Sequence, residues 1–180
     1  MRTRSFHFQI ERSTKYAAEM TREPALVEVQ WLTPSELQSW VQVVRLMAKL
    51  PCAIDSQLRR NADLTMSEYQ TLAILSAQTD HVMRMSELAE LTSASLSMLS
   101  HLVKRLERRG FIVRAVDPED GRFTTASLTD DGLAKLVAAA PAHVALVRRL
   151  VVDVLSPERL RKLGQDAERI VQQIDALRQS

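Results

Sequence analysis

Between Ser95 and Gly110 the sequence spells out one complete amphipathic helix, and its flanks leave few folds open. Ser95 is a residue type that caps helix N-termini, and Gly110 supplies the left-handed residue that ends helices. Leu99, Leu102, Val103 and Leu106 recur at i, i+3, i+4 and i+7, which is a stripe for a core. Upstream, Ser86 is placed to cap a shorter helix running to Leu91, and Thr92-Ser93 is a polar break. Downstream, Phe111–Ala115 and Arg122–Leu128 read as strands. Asp117-Pro118-Glu119-Asp120-Gly121 between them is turn chemistry, so the pair is a β-hairpin.

The rest of the chain reads as helices. Thr33-Pro34-Ser35-Glu36 is a capping box with proline at the first helical position, and Leu32 and Leu37 can close a hydrophobic staple. The helix it opens runs to about Arg60, with a bend expected at Pro51. A second box, Thr65-Met66-Ser67-Glu68, opens a helix ending near Gln78, with Leu64 and Tyr69 placed for its staple. Val82–Met85 reads as a minimal strand. Thr129 caps a helix over roughly 130–154, with Asp130 and Asp131 in its first turn and a bend expected at Pro141. Ser156-Pro157 opens the last helix, striped by Leu160, Leu163, Ala167, Ile170, Val171, Ile174 and Leu177. Short helix, turn, longer helix and hairpin is the layout of a winged helix-turn-helix. The fold class is therefore mainly α with a small β-hairpin wing and a helical dimerisation lobe built from both chain ends. Residues 1–30 are expected to be an extension, disordered or owed to an upstream start with Met20 as the alternative. Residues 31–62 are a dimerisation helix, 63–128 the DNA-binding region and 129–180 the C-terminal dimerisation helices.

Composition removes rival classes. The four glycines (Gly110, Gly121, Gly132, Gly164) are scattered, so no phosphate-cradling loop or dinucleotide fingerprint is available. One cysteine, Cys52, excludes an intrachain disulfide or a thiolate zinc cage, and His7, His81, His101 and His143 are too far apart to suggest a metal site. No Ser-His-acid arrangement or carboxylate cluster suggests catalysis, so neither enzyme activity nor a cofactor is expected. The apolar runs fall short of the ~18 residues of a membrane helix, and the N-terminus has no h-region, so the expected location is the cytoplasm, away from membrane.

A net charge of +2 neither demands nor excludes nucleic acid, so the placement of charge decides. From Leu96 to Arg114, five basic residues (Lys104, Arg105, Arg108, Arg109, Arg114) stand against one acid, Glu107, a local excess of four. At ~100° per residue, the face opposite the core stripe carries Ser97, His101, Lys104 and Arg108, with Ser100 and Arg105 at its margins. Ser95 and Met98 complete the candidate DNA-contacting set on this helix. Hydroxyls at the entering end allow close approach to base edges, and long cations further along reach phosphates. A solvated helix face is the plainer reading of such charge, but its place directly before a hairpin favours double-stranded DNA. The rival reading is a winged-helix protein-interaction module, which would favour an acidic or apolar second helix.

The order Leu88-Ala89, Ser95, Ser97, Ser100, Leu102-Val103, Arg105-Leu106-Glu107, Gly110-Phe111, Arg114, Asp117-Pro118, Asp120-Gly121-Arg122 and Leu128-Thr129-Asp130-Asp131-Gly132 resembles the MarR (multiple antibiotic resistance regulator) family of winged-helix regulators. The resemblance implies a homodimeric transcriptional regulator, often a repressor released from DNA by a small aromatic or anionic effector. It also implies that Asp120 and Arg122 shape the wing, with Arg122 near the minor groove. Gly121 stands where the family usually has a basic residue, and His101 where Arg is common. Trp40 and Tyr69 are the candidates for an effector cleft, although aromatics at helical spacing usually belong to a core. Some relatives sense peroxide through a first-helix cysteine, but Cys52 lies too close to Leu64 to match them, and a small buried role is expected instead.

Overall fold

The computed structural model describes residues 29–179, so the expectations for the extension before Val29 lie outside the described residues. The chain divides after Val44 into two compact units. In the first, the opening capping box forms: the Thr33 N–H donates to Glu36 Oε2 at 2.7 Å and the Glu36 N–H to Thr33 Oγ1 at 3.3 Å. Helix α1 spans Pro34–Ala62 and crosses the division.

The second unit holds the rest. Helix α2 (Met66–Ser76) begins with the second capping box, Thr65 with Glu68. Strand β1 (Val82–Arg84) leads into α3 (Met85–Leu91), and α4 (Leu96–Arg108) follows. Strands β2 (Ile112–Val116) and β3 (Thr124–Leu128) form the hairpin. Helix α5 (Asp130–Val147) passes through a π turn (Arg148–Val152) towards α6 (Pro157–Gln179). The sheet is antiparallel in the order β1-β3-β2, with Met83 opposite Ala126 and Arg114 opposite Ala126 on the other side. Leu72, Leu75, Leu88, Leu99, Val103, Leu106 and Ile112 are fully buried in one cluster, so α2, α3, α4 and β2 share a core. Of the stripe read on α4, Leu99, Val103 and Leu106 belong to this core and Leu102 packs against it, partly buried.

Several boundaries differ from expectation, each for a local reason. Ser86 does not cap α3: it is exposed, while Arg84 holds the N-cap in an extended conformation and Met85 is buried. The strand runs straight into the helix, and a core contact sets the entry in place of a hydroxyl. Strand β2 starts after Phe111 because the Phe111 N–H closes the end of α4 on the Leu106 carbonyl at 3.0 Å. Strand β3 starts after Phe123, which the wing turn consumes through its N–H to the Asp120 carbonyl. Neither Pro51 nor Pro141 interrupts its helix. Both are exposed, as are Met47 and Val137 one turn back, so the residues whose carbonyls lose a donor stand at the surface. The irregularity in the second case sits later, at the π turn, where the Asp153 N–H reaches back to the Arg148 carbonyl at 2.8 Å.

Thr129 joins α4 to α5. Its hydroxyl donates to the Gly110 carbonyl at 2.7 Å and accepts from the Gly132 N–H at 3.0 Å, while its own N–H donates to the Phe111 carbonyl at 3.1 Å. This packing leaves no room beside Gly132, where a Cβ would stand 2.2 Å from the Phe111 carbonyl oxygen. Gly132→Ala is therefore expected to destabilise the fold by ~1–3 kcal/mol or more, as overpacking against backbone does. A melt matching that of the native chain would show that the junction can relax.

Candidate nucleic-acid interface

Helix α4 is closed at both ends by its own sequence. The Ser95 hydroxyl accepts from the Met98 N–H at 3.2 Å. At the other end Gly110 takes φ +77, its N–H donates to the Glu107 carbonyl at 2.9 Å, and the Phe111 bond completes a paired C-terminal closure. Leu99, Val103 and Leu106 point into the core and Leu102 is half-buried. The opposite face presents Ser97, His101, Lys104 and Arg108, all exposed, with Ser95 and Met98 exposed at the entering end and Ser100 half-buried.

The charge on this helix divides into two groups. Arg105 Nε donates to Glu68 Oε1 at 3.2 Å. Arg109 donates to the carbonyl and carboxylate of Asp63, at 2.7 and 3.0 Å, and lies 4.9 Å over the Phe111 ring. Arg114 forks onto Glu107, at 2.6 and 3.1 Å, and that pairing holds the Glu107 carboxyl below its ordinary value. Three of the five cations counted in the sequence are thus engaged within the fold. Among the described residues, Lys104 and Arg108 carry no ion pair, and both lie on the outward face.

The wing is held by carboxylates. Asp117, whose side chain is only 6% exposed, accepts from the Glu119 N–H at 2.9 Å, from the Asp120 N–H at 3.3 Å and from Arg84 Nε. Arg84 also lies 4.7 Å over the Phe123 ring. Asp120 in turn takes Arg122 through both oxygens, at 2.9 and 2.6 Å, while the Arg122 side chain stays 84% exposed beyond the turn. Between α4 and the wing lies an open cleft of about 240 Å³, lined by Leu96, Ser100, Arg114, Arg122 and Phe123. Arg84 and Glu68 were not legible as partners of this surface, because their bonds span 33 and 37 residues of chain.

The remaining candidates stand elsewhere. Trp40 is exposed on the first unit's part of α1. Tyr69 is half-buried, its ring 4.5 Å from that of His143, and burial raises the phenol while lowering the imidazole. The buried Nδ1 of His143 has no hydrogen-bond partner among the described residues. His81 is a loop residue at φ 58 whose carbonyl accepts from the Leu128 N–H. Cys52 is exposed, not the small buried residue expected, because the face of α1 that carries it is open. Among the described residues, no helix is long and apolar enough to cross a membrane.

Comparison with known proteins agrees with this geometry. The family model described as the MarR family matches residues 64–124. An uncharacterized HTH-type transcriptional regulator of Bacillus cereus is 31% identical over 124 residues, which is 69% of this chain and 80% of the relative. A MarR family transcriptional regulator from Streptomyces coelicolor, solved in complex with DNA, is 35% identical with a TM-score of 0.78, over 80% of this chain and 94% of its own. AbsC, a MarR family regulator of the same organism, is 34% identical with a TM-score of 0.78, over 82% and 99%.

The wing should respond to acid. Backbone N–H groups and Arg84 hold Asp117 below the ordinary 3.8, and Arg122 does the same for Asp120. A depressed folded value means that stability is fully present above the ordinary value and is lost as pH falls through the folded one. The Tm is expected to hold down to about pH 4 and to decline below it, with faster hydrogen exchange at the Glu119 and Asp120 amides. A melting profile flat well below pH 4 would remove these carboxylates from the wing's support.

Proposed function

This chain belongs to the MarR family of winged-helix transcriptional regulators, and from that premise we propose that it is a dimeric repressor holding a pseudo-palindromic operator. In this reading α4 enters the major groove, with Ser95, Ser97, Met98, Ser100 and His101 towards the bases and Lys104 and Arg108 on phosphates. Arg105 spends its guanidinium on Glu68 and acts at the margin. Arg122, extended from Asp120, takes the adjacent minor groove. The observation that carries the reading is the exposed face of α4, where hydroxyls stand at the entering end and the two cations without ion pairs stand behind them.

Dimerisation is supported by α6, which exposes Leu163, Ile170, Val171 and Ile174 along one helix. At ~1.5–3 kcal/mol for each large side chain removed from water, a stripe of that size favours a second copy, and two-fold pairing is the commonest closure. It would set two α4 helices about 34–36 Å apart, facing half-sites one DNA turn apart. Release by a small aromatic or anionic effector belongs to the same proposal. Tyr69 and His143 offer it two rings tilted at 46° and a buried nitrogen without a hydrogen-bond partner among the described residues.

A gel shift on the gene's own upstream region, after heparin retention, tests DNA binding directly. Lys104→Ala is expected to weaken binding alike on all sequences and to lower the salt slope by about 1 per protomer. Arg122→Ala should cost affinity at nearly unchanged Tm, because so exposed an ion pair adds little to folding. An unchanged salt slope together with unchanged affinity would leave the protein-interaction reading standing. Light scattering should give twice the monomer mass, and Ile170→Asp with Ile174→Asp should halve it. A native monomer would overturn the dimeric architecture.

A further inference from the structure

The entering end of α4 lacks the side chains that usually read bases. From Ser95 to Val103 there is no Asn, Gln, Arg, Lys, Asp or Glu, and the cations begin only at Lys104. Bidentate readout of guanine by Arg or Lys, and of adenine by Asn or Gln, is therefore unavailable there, as is a carboxylate for cytosine. Single hydrogen bonds from hydroxyls and His101 remain, and hydroxyls discriminate poorly. At the same end two large apolar side chains stand in solvent, Met98 at 67% exposure and Leu96 at 55%. Leu96 faces the cleft beside the wing. Met98 lies on the other flank, one turn before His101.

In the major groove the apolar feature of a base edge is the 5-methyl group of thymine. A thioether chain, unbranched and polarisable, can settle on such a group without demanding one rotamer. We propose that Met98 is a specificity-determining residue that reads a thymine methyl in each half-site, an assignment that rests on the DNA-binding reading above. Thymine is then preferred for its shape and apolar surface, so any pyrimidine carrying the 5-methyl group satisfies this contact.

The test uses the tightest duplex that the full chain selects from a random-sequence pool. Each thymine is replaced in turn by deoxyuridine, which keeps every hydrogen-bonding group and removes only the methyl. Native protein is expected to lose ~3–5-fold in affinity at one thymine per half-site, the effect of burying a single methyl. Met98→Ala is expected to bind native and deoxyuridine duplexes equally at that position, and Met98→Leu to restore part of the preference. Met98 is exposed, so the Tm of both variants should match the native chain, which separates a lost contact from a lost fold. Tight binding by the native chain with no deoxyuridine-sensitive position would overturn the proposal. So would a sensitivity that survives Met98→Ala unchanged. Failure of the native chain to bind any duplex would instead overturn the DNA-binding reading itself.

Discussion

Glu68 is the joint on which the outward face of α4 rests. One of its oxygens takes the Thr65 N–H at 2.8 Å and starts α2, while the other takes Arg105 Nε from α4. Arg109 Nη1 approaches at 3.8 Å. The side chain is only 6% exposed, and a carboxylate so withdrawn from water persists only when its lone pairs are met. Arg109 then reaches on to Asp63, a corner residue at φ 47 just past α1. The end of α1, the start of α2 and the C-terminal half of α4 are thus tied through one buried charge. The buried Leu99, Val103 and Leu106 set which side of α4 looks outward, and the tie braces the helix in that orientation.

Local signals made the elements legible. The capping boxes at Thr33 and Thr65, the Ser95 cap and the Gly110 stop all act within four residues, so spacing alone reveals them. The core stripe of α4 was equally plain, since Leu99, Val103 and Leu106 repeat on one face. Spacing said nothing of Arg84 with Asp117 or Arg105 with Glu68, whose partners meet only once the chain has folded. For the same reason the count of cations from Leu96 to Arg114 overstated the free charge. Arg105, Arg109 and Arg114 turned out to serve the fold, and only the outward position of Lys104 and Arg108 marks them for another task. The third strand shows the same limit, because Val82–Arg84 is too short to announce that it pairs with β3.

The wing works as a relay of short bonds. Arg84, at the hinge between β1 and α3, engages Asp117; Asp117 holds the turn through two backbone N–H groups; the turn carries Asp120, and Asp120 aims Arg122. Both ends of the relay flank the Phe123 ring, Arg84 at 4.7 Å and Arg122 at 5.9 Å from its centroid. An exposed guanidinium would otherwise sample many rotamers, and ordering it in advance lowers the entropy lost when it meets an anion. Gly121 adds no charge to this hairpin, so the reach of the wing rests on that single aimed side chain.

Thr129 ends one helix's affairs and begins another's with a single side chain. Its hydroxyl is shared between the carbonyl of Gly110 and the N–H of Gly132, and Gly132 itself has no clearance from Phe111. There is no slack in such a connection. A tilt of α5 must either break these bonds or carry the C-terminal end of α4 with it, and α4 pivots about that end. Over its 13 residues the helix is about 20 Å long at 1.5 Å per residue, so a few degrees at Thr129 become roughly an ångström at Ser97. The threonine is a fulcrum, and the exposed Ser95 and Ser97 sit at the long end of the lever.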